Sequence, residues 1–268
     1  MTHSRKVKSQ SAHQYDAKRM HNTLSLKSMT TPYAAAEMRN GDEHDRRNPP
    51  RGLPVSPPQC GPARCAIAMA ASVGGLRALS VILGGLPADF PAAIAIVMHL
   101  SPDHKSVLAE ILDSRSYLVV RQAQTGDVLC HSSVFVAPPN HHLLVGTGGR
   151  LELSSSTAEK VHFARPSAEP LFASVAEVYQ QNAIAVVLTG GDGDGSFGVQ
   201  IVKEQGGKVI AQDRPTSQDF SMPETSIKTG DVDFVLPLEK IAPKLIELVE
   251  LVGRGGPRRL GHRTQKVR

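Results

Sequence analysis

Between residues 65 and 251, short apolar runs alternate with stretches of helical periodicity. That alternation constrains the fold more than any other feature of the chain. CAIAMAA (65–71), AAIAIVMH (92–99), LVVRQA (118–123), NAIAVVLTG (182–190), KVIAQD (208–213) and DFVLP (233–237) read as strands. The longest of these runs are continuously apolar rather than alternating, as a strand covered on both faces requires. Leu76, Leu79, Ile82, Leu83 and Leu86 have helical spacing. SVLAEILDS (106–114), AEPLFASVAEVYQQ (168–181), SFGVQIVKEQGG (196–207) and EKIAPKLIELVEL (239–251) supply further helices. The expected fold is α/β, a three-layer, doubly wound, mostly parallel sheet. VLCHSSVFVAPP, HHLLVGTGG and RLELSSS (128–156) are expected to form a small antiparallel hairpin insertion. Ligands in such sheets bind beyond the carboxyl ends of the strands, so the motifs there carry the most information.

Charge divides the chain the same way. The net charge of +5 comes from the ends, because residues 65–252 carry 13 Lys and Arg against 20 Asp and Glu. Residues 1–63 are expected to be a disordered basic leader with a Pro-rich linker, 64–252 the folded domain, and 253–268 a basic tail. Basic ends can dock on an anionic partner or simply be solvated. No motif for specific nucleic-acid recognition accompanies them. No apolar run reaches the ~18 residues of a membrane span, and the first residues lack the apolar block of a secretory signal. Cys60, Cys65 and Cys130 show no C-x-x-C spacing and read as reduced packing thiols, so a cytoplasmic setting is expected. His141 and His142 show no metal-ligand spacing with other residues, and nothing calls for a cofactor.

Three strand ends hold candidate chemistry. The first reads Ala70-Ala-Ser-Val-Gly-Gly75. Ser72 on a tight strand-to-helix turn is either a nucleophile beside helix N–H groups that can hold an oxyanion, or only the N-cap of the helix. A dinucleotide loop is weakly supported, because G-x-G-x-x-G is absent. The second strand ends in Val97-Met-His-Leu100. His99 there can act as the base that a serine nucleophile needs, or can be a satisfied histidine at a strand end. The third is LTGGDGDGSFG (188–198), with Asp192 and Asp194 two residues apart. As an EF-hand loop it fails, with Phe197 where Gly belongs and Lys203 where Glu belongs. A carboxylate that orients His99 is what the site still needs.

Six pieces, in order, carry a resemblance. They are A-A-S-V-G-G (70–75), V-M-H-L-S-P-D-H (97–104), V-F-V-A-P-P-N-H-H-L (134–143), R-P-S-A-E-P-L-F (165–172), L-T-G-G-D-G-D-G (188–195) and M-P-E-T-S-I (222–227). From about residue 65 to 250 the chain resembles the catalytic domain of the CheB chemotaxis protein-glutamate methylesterases. The resemblance implies a Ser-His-Asp serine hydrolase that removes methyl esters from glutamate side chains of chemoreceptors and in some members deamidates glutamine. Matched by position, Ser72 is the nucleophile, His99 the base and Asp194 the triad aspartate. The backbone N–H groups of Val73 and Gly191 then serve the oxyanion, and Arg165 meets acidic substrate side chains or makes a structural ion pair. The methylated partner would be a chemoreceptor-like protein. Ala70 and Gly191 stand where the family usually has Gly and Met, and Asp192 adds a carboxylate. The family's receiver domain has no counterpart in the sequence upstream, so a stand-alone catalytic domain is expected. A catalytically weakened binding module of the same fold is the alternative.

Overall fold

The computed structural model describes residues 61–99, 106–161 and 164–254. The leader expected over 1–63 and the tail over 253–268 lie almost wholly outside these residues, as do Cys60 and His104.

The described residues include nine strands and six α-helices, with two short 3-10 turns at Thr147–Gly149 and Gln180–Asn182. The strands are β1 (Ala66–Ala71), β2 (Ala93–Met98), β3 (Val119–Gln122), β4 (Ser133–Val136), β5 (Leu143–Gly146), β6 (Arg150–Leu153), β7 (Ala183–Val187), β8 (Lys208–Gln212) and β9 (Phe234–Leu236). The helices are α1 (Gly75–Gly84), α2 (Leu108–Asp113), α3 (Ala168–Tyr179), α4 (Ser196–Glu204), α5 (Ser221–Lys228) and α6 (Leu238–Arg254). Seven strands form one sheet in the order β3-β4-β2-β1-β7-β8-β9, and every pairing in it is parallel. β5 and β6 pair antiparallel in a separate two-stranded ribbon. The hairpin expected over 128–156 is therefore smaller than the sequence suggested. VFV enters the main sheet between β2 and β3, because its run is apolar on both faces and buried.

From β1 the chain winds outward through β2 to the β4 and β3 edge. It then returns to the other side of β1 with β7, β8 and β9. The winding reverses between β1 and β7, the place in such sheets where ligands are expected to bind.

The two faces of the sheet are unequal. Ile67, Met69 and Ala71 of β1 point to one face with Leu79, Ile82, Leu83, Leu112, Ile241 and Leu245 of α1, α2 and α6. In α6 the buried positions Ile241, Leu245, Leu248 and Val249 repeat at helical spacing. The opposite face carries Ala66, Ala68, Ala70, Ala93, Ala95, Ala183 and Ala185 on β1, β2 and β7. Against those small side chains pack Leu171, Phe172, Val175 and Ala176 of α3. Alanine leaves room for α3 to lie close to the sheet centre, and α3 in turn lies close to α4. A Cβ built on Gly198 of α4 would stand 2.6 Å from Phe172 Cβ.

Gly198→Ala therefore tests the packing. Glycine to alanine inside an exposed helix stabilises by up to ~1 kcal/mol. Here the methyl meets a Cβ that cannot swing aside, so urea unfolding is expected to show a loss of about 1–3 kcal/mol instead.

Candidate active site

Three loops bring the candidate residues to one end of the sheet. Ala71 pairs with Met98, so Ser72 and His99 are the next residues of two neighbouring parallel strands. His99 N donates to Ala71 O at 3.1 Å. On the other side of β1, Ser72 N donates to Thr189 O at 2.9 Å. Ser72 thus occupies the central strand end, with the histidine on one flank and the β7 loop on the other.

Ser72 does not cap the helix that follows. The N-cap of α1 is Gly74, in the left-handed region at φ 79°, with no side-chain capping bond. Glycine is required there, since a Cβ would lie 2.8 Å from Gln218 Cβ. Gly190 faces the serine, and a Cβ on it would stand 3.0 Å from Ser72 Cβ and 2.0 Å from Met222 Sδ. The missing side chain lets the β7 loop lie against Ser72. The N–H groups of Val73 and Gly191 donate to no described residue, whereas Gly190 N is used on Asp219 O.

Asp194 is fully buried. Its carboxylate accepts from Ser167 Oγ at 2.6 Å, from Ala168 N at 2.6 Å and from His99 Nε2 at 2.8 Å. Ser167 is the N-cap of α3, so the carboxylate sits at a helix N-terminus, where N–H groups and the helix dipole favour an anion. Ser167 N donates in turn to Nδ1 of buried His142 at 3.3 Å. That leaves His142 Nε2 to donate to Glu159 O at 2.9 Å. Burial, and then the charge of Arg165, hold His142 below the ordinary histidine range against the raising effect of that bond. Glu169 caps the next helix, accepting from Gly195 N at 3.0 Å, Phe197 N at 3.1 Å and Gly198 N.

His99 is gripped on both sides. Its Nδ1 lies 3.0 Å from Asp192 Oδ2, opposite the bond from Nε2 to Asp194. Asp192 Oδ1 accepts from Asp194 N at 3.1 Å, a turn that aims the other oxygen at the ring. Burial alone would lower the histidine pKa. The hydrogen bonds and charges of Asp192 and Asp194 outweigh it and raise the pKa to about 9. Among the described residues no hydrogen bond joins Ser72 Oγ to either ring nitrogen. The structure therefore gathers Ser72, His99 and Asp194 but leaves the serine unpaired with the imidazole.

Thr189 ties the loops together. Its hydroxyl accepts from Asp219 N at 2.9 Å and donates to Val73 O at 2.8 Å, while its N–H donates to Gln212 Oε1 at 3.0 Å. Beside Ser72 opens a cleft of ≈ 570 Å³, lined by Leu76, Val81 and Met98 together with Arg77 and Arg115. Arg165 does not line it. Its guanidinium donates to Asn140 Oδ1 and Ala158 O, which braces the loop before α3. Ser167, Thr189 and Glu169 have no role assigned by the sequence motifs in which they lie. Short polar residues directly before a helix or after an apolar strand were the available signal. Burial pushes the Cys65 thiol up to about 12, so it stays protonated among the core side chains. Among the described residues no group of three or more His, Cys, Asp or Glu is arranged to hold a metal ion. None of their helices is long and apolar enough to cross a membrane.

Ser72, His99 and the buried Asp194 thus lie together at the carboxyl edge of a doubly wound sheet, the residue types that a serine hydrolase requires. Comparison with known proteins narrows this class. Residues 67–245 match the family model described as CheB methylesterase, and the chain belongs to that family. It is 39% identical over 196 residues to a protein-glutamate methylesterase/protein-glutamine glutaminase of Pyrococcus horikoshii, covering 73% of this chain and 53% of that one. The corresponding Thermotoga maritima protein is 40% identical over 184 residues, covering 68% of this chain and 54% of that one. The chain spans about half the length of the curated relatives it matches. The crystal structure of the Thermotoga maritima CheB methylesterase catalytic domain matches with a TM-score of 0.65 at 38% identity, covering 69% of this chain and 98% of that one.

Ser167→Ala removes a donor from a buried carboxylate and the side-chain cap from α3. Denaturant unfolding is expected to show a loss of about 1–3 kcal/mol, well above the few tenths typical of a surface serine.

Proposed function

We propose that the chain is a serine hydrolase that removes methyl esters from glutamate side chains of chemoreceptor-like proteins and can deamidate glutamine at the same positions. The observation that carries the reading is the buried Asp194 carboxylate. It is held by Ser167 and the α3 N-terminus and directed at His99, next to a serine on the central strand end. Membership of the CheB methylesterase family and the names of the relatives supply the substrate class.

In the working cycle, Asp194 holds the proton on His99 Nε2, which leaves Nδ1 as the base. His99 takes the Ser72 proton, and Ser72 Oγ attacks the glutamyl ester carbonyl. The N–H groups of Val73 and Gly191 hold the oxyanion, and each donor would contribute on the order of 10²–10³ in rate. Methanol leaves, carrying the proton back from His99, and water hydrolyses the acyl-enzyme with His99 again as base. With glutamine the leaving group is ammonia. The apolar cleft wall of Leu76, Val81 and Met98 would receive the alkyl stem of the substrate segment, and Arg77 and Arg115 its acidic neighbours. Substrates of this kind fit a cytoplasmic enzyme, with residues 64–252 as the catalytic domain. The basic segments beyond it, 1–63 and 253–268, would dock anionic signalling partners.

The test is methanol release from a methylated receptor segment. Ser72→Ala is expected to abolish release. Asp194→Asn, which favours the wrong tautomer, should cut it on the order of 10³–10⁴-fold. Release unchanged in Ser72→Ala would sink the assignment. The grip of Asp192 on His99 favours a second reading, a binding module in which catalysis has weakened. A serine-directed fluorophosphonate separates the two, because an active site labels at Ser72 and a weakened module does not.

A further inference from the structure

A carboxylate can only accept, and each nitrogen of His99 lies within hydrogen-bond distance of one: Nδ1 at 3.0 Å from Asp192 and Nε2 at 2.8 Å from Asp194. A neutral imidazole has a single N–H. Both contacts are satisfied together only when the ring carries two protons. Once Nδ1 loses its proton, its lone pair faces an anionic oxygen, and the contact with Asp192 turns from attractive to repulsive. The same nitrogen is the one left to accept a proton from Ser72, because Asp194 occupies the other.

We propose that Asp192 is a positioning residue that holds His99 in its doubly protonated form, turned to a carboxylate instead of to Ser72, until Nδ1 is deprotonated. The proposal rests on reading Ser72 and His99 as nucleophile and base. Its consequence is an alkaline threshold for activity. With the His99 pKa raised to about 9, only about one molecule in a hundred holds the neutral base at pH 7. Activity then rises with pH through about 9, where an ordinary histidine would give a limb near 6.5.

The surrounding charges agree with this direction. Asp192 and Asp194 approach the ring from the loop after β7. Asp219, ahead of α5, is held below the ordinary carboxylate range by hydrogen bonds from Ser221, so it stays ionised and adds negative potential near Asp192. On the far side of Asp194, His142 is held below the ordinary histidine range and brings no cation at neutral pH, while Arg165 is engaged by Asn140 and Ala158. On the side of Ser72 the cleft contributes Arg77 and Arg115. Asp103, His104 and Lys105, in the segment after His99, lie outside the described residues.

The experiment is a pH titration of the full-length protein with ¹⁵N-labelled histidine, following the side-chain nitrogens by NMR. The His99 signals are assigned by their loss in His99→Gln. In the wild type both His99 nitrogens should remain protonated through neutral pH and titrate near 9. In Asp192→Asn the midpoint should fall by at least one unit, a tenfold or larger change in the proton affinity. Fluorophosphonate labelling of Ser72 should follow the same midpoints, with Asp192→Asn labelled at least tenfold faster at pH 7. Asp192→Gly, with a denaturation curve for each variant, guards against a folding defect in the asparagine variant. A His99 midpoint that is the same in wild type and both variants, or a wild-type midpoint near 6.5, overturns the proposal. The titration needs no ester substrate. A protein that shows the shift but releases no methanol would sink the esterase reading and leave the role of Asp192 standing.

Discussion

The structure depends on burying one carboxylate. An ionised side chain removed from water costs several kcal/mol unless its oxygens are occupied. Asp194 is fully buried, and three donors meet it. Two of them, Ser167 Oγ and Ala168 N, belong to the start of α3, so that helix has to reach the strand ends. The alanines that β1, β2 and β7 present to it leave room for that approach. A requirement that begins at one oxygen pair thus sets the side-chain volume of three strands and the closeness of α3 and α4. The third donor is His99, at the end of β2.

The rest of the site follows from the direction of the strands. Parallel pairing in register brings Ala71 beside Met98, and the next residues, Ser72 and His99, then emerge together. The winding reverses at β1 and β7, so the loops after these two strands lead to opposite faces of the sheet, and they touch where Ser72 N donates to Thr189 O. Gly74 and Gly190 make the approach possible, one by its positive φ and the other by the side chain it lacks. Thr189 then fixes the spacing, with one hydroxyl linking the serine turn to the loop before α5.

Much of this was legible in the chain. Continuous apolar runs of Ala, Ile and Val identified doubly covered strands, and their ends pointed to Ser72, His99 and the Asp194 loop. Two things were not. VFV (134–136) reads as part of a hairpin because turn residues crowd around it, and only tertiary pairing reveals it as an inner strand. The part played by Ser167 was also hidden, since a serine before a helix predicts a cap but does not predict which acceptor its hydroxyl will find. Asp192 lay between these cases. Its presence was visible as an added carboxylate, but its contact with Nδ1 depends on a backbone turn that composition does not encode.

The alanine face of the sheet has a consequence for how such a chain can drift. Side chains on the opposite face are large and branched, and can be traded among Ile, Leu, Met and Val with compensating shifts. On the α3 side much of the floor on β1, β2 and β7 is already one methyl deep. Volume can be removed there at modest cost, but every addition pushes α3 off the sheet and carries Ser167 and Ala168 away from Asp194. Substitution is therefore a one-way valve on that surface. As sequences of this kind diverge, the smallest side chains in the molecule would be the slowest to change, although none of them touches a substrate.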